Sequence, residues 1–490
     1  MRKTKIVCTL GPATEDREVL KQLMLAGMNV ARQNFSHGTH ETHKAMHDNV
    51  MDVARILGAP VATMMDTKGP EVRLCNFEGG KVVLEDGKYF NLTTDDVLGT
   101  DVRAAVTYKG LPADVEKGTT ILIDDGNVEL VVEDTTDTDI ICKIIHGGVI
   151  SNHKGINVPN VKLHMPYIND IDEADIRFAA REGFDYIAAS FVTCAEDVDA
   201  VRRILSSEGR SDIQIIAKIE NREGVDNMDT IIEASDGIMV ARGDMGVEIP
   251  FERIPKIQKE MLEKCGKLSK VAIVATQMLE SMMHKSRPTR AEISDVANAI
   301  YDGTDAIMLS GETAAGEFPV EAVRAMDSIA RATEEGIDYK LRFRQQWSDE
   351  KIQRPTAIAH AAVSAANDIS AEAIIALTKS GNTARNIARY RPSCPIIAST
   401  YSEVTWRQLA LAWGTIPRLT TQCRNFVNMT EALIKTAVND AFDEDLISED
   451  ANIVATAGVP LGESGTTNLM KITSVSEEIA SRYTMSPFHE

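Results

Sequence analysis

Apolar residues fall in short, β-branched runs separated by amphipathic stretches, and the alternation recurs along most of the chain. Lys5 to Leu10, Val30 to Asn34 and Val61 to Met65 read as strands. Between them, Glu18 to Ala26 and Thr42 to Leu57 have helical spacing, each stopped by a glycine, Gly27 and Gly58. After an interruption the strands resume as Asp185 to Ser190, Ile213 to Glu220, Gly237 to Val240, Lys270 to Ala275 and Ala306 to Leu309. Helical patterns lie between them, one at Glu196 to Leu205 and one expected around Met278, Leu279, Met282 and Met283, whose methionines suit core packing. Eight strands with intervening helices predict an α/β fold, a (β/α)8 TIM barrel with its chemistry at the carboxyl ends of the strands. An open doubly wound sheet is the alternative, because periodicity does not report closure.

The interruption has a different texture. Residues 71 to 166 are rich in Val, Ile, Thr and Gly, with turn signals at Gly79-Gly80, Glu85-Asp86-Gly87 and Asp124-Asp125-Gly126-Asn127. Strand-like runs lie between the turns at Lys81 to Leu84, Thr120 to Ile123, Val128 to Val132 and Ile140 to Ile145. Such a pattern predicts a small inserted all-β barrel or sandwich, able to swing as a lid over the larger fold. The expected division is 1–69 with 167–345 for the barrel and 70–166 for the lid. Residues 336 to 354, around Trp347, read as a linker. A C-terminal open α/β domain follows over 346–473, from the helix Thr356 to Asn367 through the strands Ala373 to Thr378, Pro395 to Ser399 and Asn452 to Ala457. Helices are expected around Trp406 to Trp413 and from Met429 to Phe442, a loop at Gly458 to Asn468, and a polar tail over 474–490.

A formal charge of -21 disfavours nucleic acid and anionic membrane as partners, although a local cationic pocket could still take a polyanion. The seven cysteines form no CxxC pair, which fits a reducing compartment without structural zinc. The basic N-terminus lacks the apolar run of a signal peptide, and no stretch has the length of a membrane span. A soluble, cytoplasmic chain is expected.

Polar residues cluster wherever a barrel strand ends. Lys218 and Glu220 share one side of their strand, since strands have period two, and Arg242, Gly243 and Asp244 end the next. Glu220 and Asp244 are hard oxygen donors of the kind magnesium uses, and equally suit buried ion pairs with Lys218 and Arg242. Arg32 and Arg73 offer guanidinium forks for a phosphoryl group. Asn34, Ser36, Asp66 and Thr67 are compact oxygen donors suited to a monovalent cation or to a hydrogen-bonded supporting shell. Backbone N–H groups at Gly243-Asp244 could receive a carboxylate. Together these suit a phosphorylated carboxylic acid and a metal. In the C-terminal domain Thr378, Lys379, Ser380, Gly381 and Thr383 open a helix, either as a phosphate cradle or as an ordinary strand-to-helix turn; the loop is not a GxxxxGKS/T motif.

Several motifs carry a closer resemblance: TKIVCTLGPA from Thr4, NFSHG from Asn34, DTKGPEVR from Asp66, AKIEN from Ala217, ARGDMGVEIP from Ala241, ATQMLESM from Ala275 and LSGETAAGEFP from Leu309. With these the chain resembles the pyruvate kinase family over essentially its full length. The resemblance implies transfer of the phosphoryl group of phosphoenolpyruvate to ADP, giving pyruvate and ATP in the last step of glycolysis. It implies Glu220 and Asp244 as ligands of Mg2+ or Mn2+, and Asn34, Ser36, Asp66 and Thr67 as ligands of K+. Lys218 matches the lysine that stabilises the phosphoryl group in flight and the enolate. Arg73 matches the arginine gripping the phosphoryl group, and Arg32 one supporting the site. Thr276 matches a threonine near the substrate carboxylate and the proton-delivery network, with Gly243 and Asp244 beside the substrate and Ser310 and Glu312 in support. Lys154 matches a nucleotide-side lysine of the lid. Members with lysine at the place of Glu71 do without potassium, so potassium dependence is expected. Ala315 departs from the lysine many members carry there. The loop Thr378 to Thr383 resembles an effector-phosphate site, and a homotetramer is implied. Two other classes stay open: a metal-dependent aldolase or dikinase-like phosphotransferase, which would not require ADP, and a non-enzymatic scaffold regulated through its C-terminal domain.

Overall fold

A computed structural model of the 490-residue chain describes residues 1–346, 353–420, 430–459 and 467–484. Trp347, Cys423, Met429, residues 460–466 of the expected loop and residues 485–490 of the tail lie outside the described residues.

Eight parallel strands close into a barrel: β1 (Lys5–Leu10), β2 (Val30–Asn34), β3 (Ala62–Asp66), β4 (Tyr186–Ala189), β5 (Gln214–Ile219), β6 (Gly237–Ala241), β7 (Val271–Ala275) and β8 (Ala306–Leu309). Each pairs with its sequence neighbours, and β1 pairs with β8, so the open-sheet alternative is excluded. The hydrophobic pattern sets the layers. Val7, Val30, Ala62, Met64, Tyr186, Ala188, Ile216, Met239, Ile273 and Met308 fill the interior, while a second apolar layer packs the strands against the surrounding helices. Local signals hold those helices: Asp16 caps Arg17–Ala26, Thr39 and Thr42 form a capping box on His40–Leu57, and Gly58 ends it with a left-handed φ of 61°.

Two connections differ from expectation. The crossover between β5 and β6 is two short helices, Arg222–Asp226 and Met228–Ala234, broken at Asn227, whose amide reaches Thr193 O at 2.8 Å. After β7 no helix begins at once. Thr276 and Gln277 have φ of 67° and 55°, outside the right-handed helical region, so Glu280–Met283 is only a 3-10 turn. The crossover helix, Arg290–Asp302, starts at the Thr289–Glu292 capping box. Met278, Leu279 and Met282 are buried in the core all the same.

The inserted segment contains a seven-stranded sheet. Backbone bonds from Thr107 N to Arg73 O (2.9 Å) and from Cys75 N to Ala105 O (2.8 Å) join its first and last strands. Its core is separate from the barrel's. Pattern reading passed over Val72–Arg73, Tyr89–Thr93, Arg103–Ala105, Gly148–Ser151 and Gly155–Asn157, which are short and interspersed with polar residues.

The C-terminal sheet runs Thr415–Leu419, Ile396–Thr400, Ala373–Leu377, Asn452–Gly458 and Thr467–Ser474, parallel except for the last pair. Both margins expected for this domain shift. The supposed linker contains the helix Tyr339–Gln345, which buries Tyr339 and Phe343 in the C-terminal core. The supposed tail contains the helix Val475–Thr484, with Val475 fully buried. Their apolar anchors are too few among charges for a pattern to register. The domain docks beneath the barrel, where Leu411 enters the interior cluster and the Tyr186 hydroxyl donates to Gln408 O at 2.5 Å. Arg407 pairs with the buried Asp185, and Arg391 with Asp305. Among the described residues, no helix is long and apolar enough to cross a membrane.

Candidate active site

The barrel interior changes character from bottom to top. Period two carries the inward face of β2 from Val30 to Arg32, of β3 from Met64 to Asp66, of β4 from Ala188 to Ser190, and of β5 from Ile216 to Lys218 and Glu220. Apolar side chains below and charged ones above follow from extending each strand by one or two inward positions.

Asp66 is the hub of this upper layer. Its carboxylate accepts from Arg32 Nε at 2.6 Å and from Lys218 Nζ at 2.9 Å, and Arg32 Nη1 donates to Thr9 Oγ1 at 2.8 Å. Lys218 Nζ also donates to Ser190 Oγ at 2.8 Å and lies 3.1 Å from Glu220 Oε1. The second Glu220 oxygen accepts from Phe191 N at 2.6 Å. Burial opposes ionisation of Asp66, but Arg32 and Lys218 outweigh it and hold the carboxyl below its usual range. Burial likewise opposes the Lys218 ammonium, and Asp66 and Glu220 outweigh it, so the lysine stays charged. Glu220 is pushed up to about 7 by burial and by the nearby Asp244, even with Lys218 beside it. Two cations, Arg32 and Lys218, thus face three carboxylates, and the excess negative charge falls on Glu220 and Asp244.

That excess is what a divalent cation would neutralise. Two carboxylates, with water and substrate oxygens completing the shell, form a normal magnesium donor set. Among the described residues no group of three or more His, Cys, Asp or Glu side chains forms a metal cluster, so substrate or water would supply the remaining oxygens. The donor chemistry fits Mg2+ or Mn2+. For a monovalent ion, Asn34 and Asp66 sit in register on adjacent strands, Asn34 Oδ1 accepts from Ser36 N at 3.1 Å, and Thr67 Oγ1 accepts from Ser190 N at 2.9 Å. These four residues adjoin Arg32 and Lys218 through Asp66, so oxygen donors and cations share one corner.

Arg242 does not pair with Glu220 or Asp244. Its guanidinium goes to Asp295 (2.7 Å), Thr276 O (2.8 Å) and Ala275 O (3.3 Å). The ion-pair alternative therefore holds for Lys218 with Glu220 and fails for Arg242. Gly243 N is also committed, donating to Thr276 Oγ1 at 2.8 Å rather than presenting an open N–H. Arg242 and Gly243 together brace Thr276 in its left-handed conformation, a role that spacing did not signal. Ser190 was likewise missed, although its period-two phase with Tyr186 and Ala188 was available. Glu312 is fully buried and accepts from Leu279 N (3.0 Å) and Ser310 N (2.8 Å), tying the ends of β7 and β8 together.

Facing these strand ends, a cleft of about 890 Å³ lies between barrel and inserted domain, lined by Arg73, Asp125, Lys154 and Asp244 among others. Arg73 is held by Glu71 Oε2 (2.7 Å from Nε) and His153 O (2.8 Å), and Lys154 by Asp124 (2.6 Å). The Asp125 carboxyl is pushed up by burial and by Asp244 across the cleft. In the C-terminal domain, Thr378 Oγ1 accepts from Gly381 N (2.9 Å) and the Thr383 hydroxyl meets that of Thr467 (2.7 Å), so these two hydroxyls already have partners.

The family models for "Pyruvate kinase, barrel domain" and "Pyruvate kinase, alpha/beta domain" match residues 1–323 and 356–473. A pyruvate kinase of Staphylococcus epidermidis is 50% identical over 482 residues, covering 98% of this chain and 82% of the relative. One from Geobacillus stearothermophilus is 49% identical over 481 residues, covering 98% and 81%. A crystal structure of a pyruvate kinase from Cryptosporidium parvum superposes with a TM-score of 0.91 at 42% identity, covering 97% of this chain and 96% of that one. With both domain models matched and half the residues shared with full-domain relatives, this chain belongs to the pyruvate kinase family.

Proposed function

We propose a division of labour among the strand-end residues for the reaction this chain catalyses, the transfer of the phosphoryl group of phosphoenolpyruvate to ADP, giving pyruvate and ATP. A terminal oxygen of ADP attacks phosphorus, the bond from phosphorus to the enol oxygen breaks, and the resulting enolate takes a proton at carbon to become pyruvate. The nucleophile is already anionic, so the protein's task is to position the reactants and stabilise charge.

Lys218, kept as ammonium by Asp66 and Glu220, faces the transferring phosphoryl group and the developing enolate oxygen. Arg73 grips the phosphoryl group from the lid, with Lys154 on the nucleotide side. Arg32 acts through Asp66, holding the carboxylate that aims Lys218. Thr276, with Gly243 and Asp244 at the carboxylate end of the substrate, directs the proton to carbon. Glu220 and Asp244 hold Mg2+ or Mn2+, which when bound would neutralise charge on the substrate's oxygens. Asn34, Ser36, Asp66 and Thr67 hold K+, and Glu71 leaves that cation's charge unreplaced by a side chain. The same reading assigns the loop Thr378, Lys379, Ser380, Gly381 and Thr383 to an effector phosphate, and the functional form to a homotetramer.

The observation that carries this reading is the meeting of Lys218 with two carboxylates at 2.9 and 3.1 Å, beside Asp244, where burial and Asp244 disfavour the ionised Glu220 that a divalent cation would stabilise. Pyruvate formation from phosphoenolpyruvate and ADP is the test. Turnover should require ADP and a divalent cation, and should fall when sodium replaces potassium. Pyruvate released without ADP would move the chain to the aldolase or dikinase-like class, and no turnover at all would indicate a scaffold.

A further inference from the structure

Ser190 has no role in the assignments above, yet it occupies the centre of the charged layer at 1% exposure. It sits one step above Ala189, the last residue of β4, between the strand that carries Asp66 and the one that carries Lys218. Its hydroxyl accepts from Lys218 Nζ at 2.8 Å and donates to Thr67 O at 2.6 Å, with Asp66 Oδ1 farther away at 3.2 Å. Its own N–H donates to Thr67 Oγ1 at 2.9 Å. A hydroxyl has one proton, and the shorter contact directs it to the Thr67 carbonyl, so a lone pair is left facing the ammonium.

The consequence is geometric. An ammonium carries three N–H bonds in tetrahedral array. Asp66 and Ser190 take two of them as directed hydrogen bonds, and fixing two fixes the direction of the third. That third bond is left on the side of Glu220, whose Oε1 lies 3.1 Å away as an ion-pair partner. Without Ser190 only Asp66 and the longer contact with Glu220 would hold the head group, and Glu220 is the partner that a bound metal would draw away. Ser190 is itself held rigidly: Gly69, with φ of 75°, passes so close that a Cβ there would lie 2.9 Å from the Ser190 Cβ.

We infer that Ser190 is a positioning residue for the phosphoryl transfer, a neutral acceptor that removes the rotational freedom of the Lys218 ammonium and keeps its third N–H on the Glu220 side, where the metal-held reacting group would lie. The inference rests on the role given to Lys218 above. Neutrality matters, because a third carboxylate in this place would draw the ammonium away from the substrate instead of orienting it. Ser190 also ties the lysine to the backbone of Thr67, one of the monovalent-ion donors.

The test is a double-mutant cycle. Ser190→Ala should lower kcat roughly ten- to hundredfold, the loss expected for one hydrogen bond to a charged group, with KM for phosphoenolpyruvate changing less than about threefold. In a Lys218→Met background the same substitution should change kcat by less than about twofold, since no ammonium remains to be aimed. Ser190→Cys keeps the volume but accepts poorly, and should behave as Ser190→Ala does, which decides the matter if the alanine variant fails to fold. Mn2+ affinity should be unchanged in either serine variant. Equal losses in both backgrounds, or full turnover in Ser190→Cys, would overturn the inference. If instead Lys218→Met alone keeps turnover, the role of the lysine fails, and the two failures are told apart.

Discussion

Replacing Arg242 by lysine keeps the charge and removes the fork. The guanidinium spans Asp295, Thr276 O and Ala275 O at 2.7, 2.8 and 3.3 Å, and a single ammonium on a flexible stem cannot reach all three in that geometry. What it braces is unfavourable by itself: Thr276 is β-branched at φ 67° and is followed by Gln277 at 55°. Left-handed conformations of this kind cost about 1–3 kcal/mol each and persist only when surroundings enforce them. Losing one charge-assisted bond to the Thr276 carbonyl removes about 1.5–3 kcal/mol of that enforcement, comparable with the strain it opposes. The turn should therefore relax and withdraw the Thr276 hydroxyl from its place against Gly243 N. Two assays read the outcome, steady-state kcat and the exchange of pyruvate methyl protons with deuterated solvent. Both should fall roughly ten- to hundredfold, and KM for ADP should hold because Arg73 and Lys154 lie across the cleft. If Arg242→Lys keeps both rates within about threefold, the fork does not govern Thr276 and the reasoning fails.

Two further outcomes follow from the ion pairs. Arg407→Ala leaves the fully buried Asp185 carboxylate without its guanidinium, at a cost of about 3–5 kcal/mol. Burial already raises the Asp185 pKa, so the neutral acid is the form the fold prefers once Arg407 is gone; the deficit in urea denaturation should shrink as pH falls and be largest at alkaline pH, and the reverse trend would refute it. Glu71→Lys places an ammonium beside Arg73 where a carboxylate now pairs with it, so turnover in sodium should approach turnover in potassium; an unchanged potassium requirement would show that the added charge does not reach the phosphoryl site.

Much of this arrangement is legible in the sequence. The eight strands were readable because buried parallel strands are continuous apolar runs, and their polar ends stood out by contrast. Lys218 and Glu220 could be placed on one face by period two alone, and Asn34 and Asp66 proved to be register partners. What could not be read was direction among equals. Asp66 looked like one oxygen donor among four, and only its depth between Arg32 and Lys218 shows it as the counterion of both. Arg242 was as plausible a partner for Glu220 as Lys218 until backbone geometry at Thr276 turned it toward two carbonyls. Ser190 carried no charge to draw notice. The helices Tyr339–Gln345 and Val475–Thr484 hide their few buried anchors among polar residues, and their packing partners are distant in sequence.

The account rests on separate tasks for neighbouring groups, with the carboxylates Glu220 and Asp244 holding the metal and Lys218 holding the group in flight. Mn2+ titration of Lys218→Met, set beside its turnover, tests this most directly. Removing the ammonium takes a competing cation away from Glu220, so Mn2+ should bind as tightly as before or more tightly, while kcat falls roughly a thousandfold or more. Loss of metal binding and turnover by the same factor would contradict it.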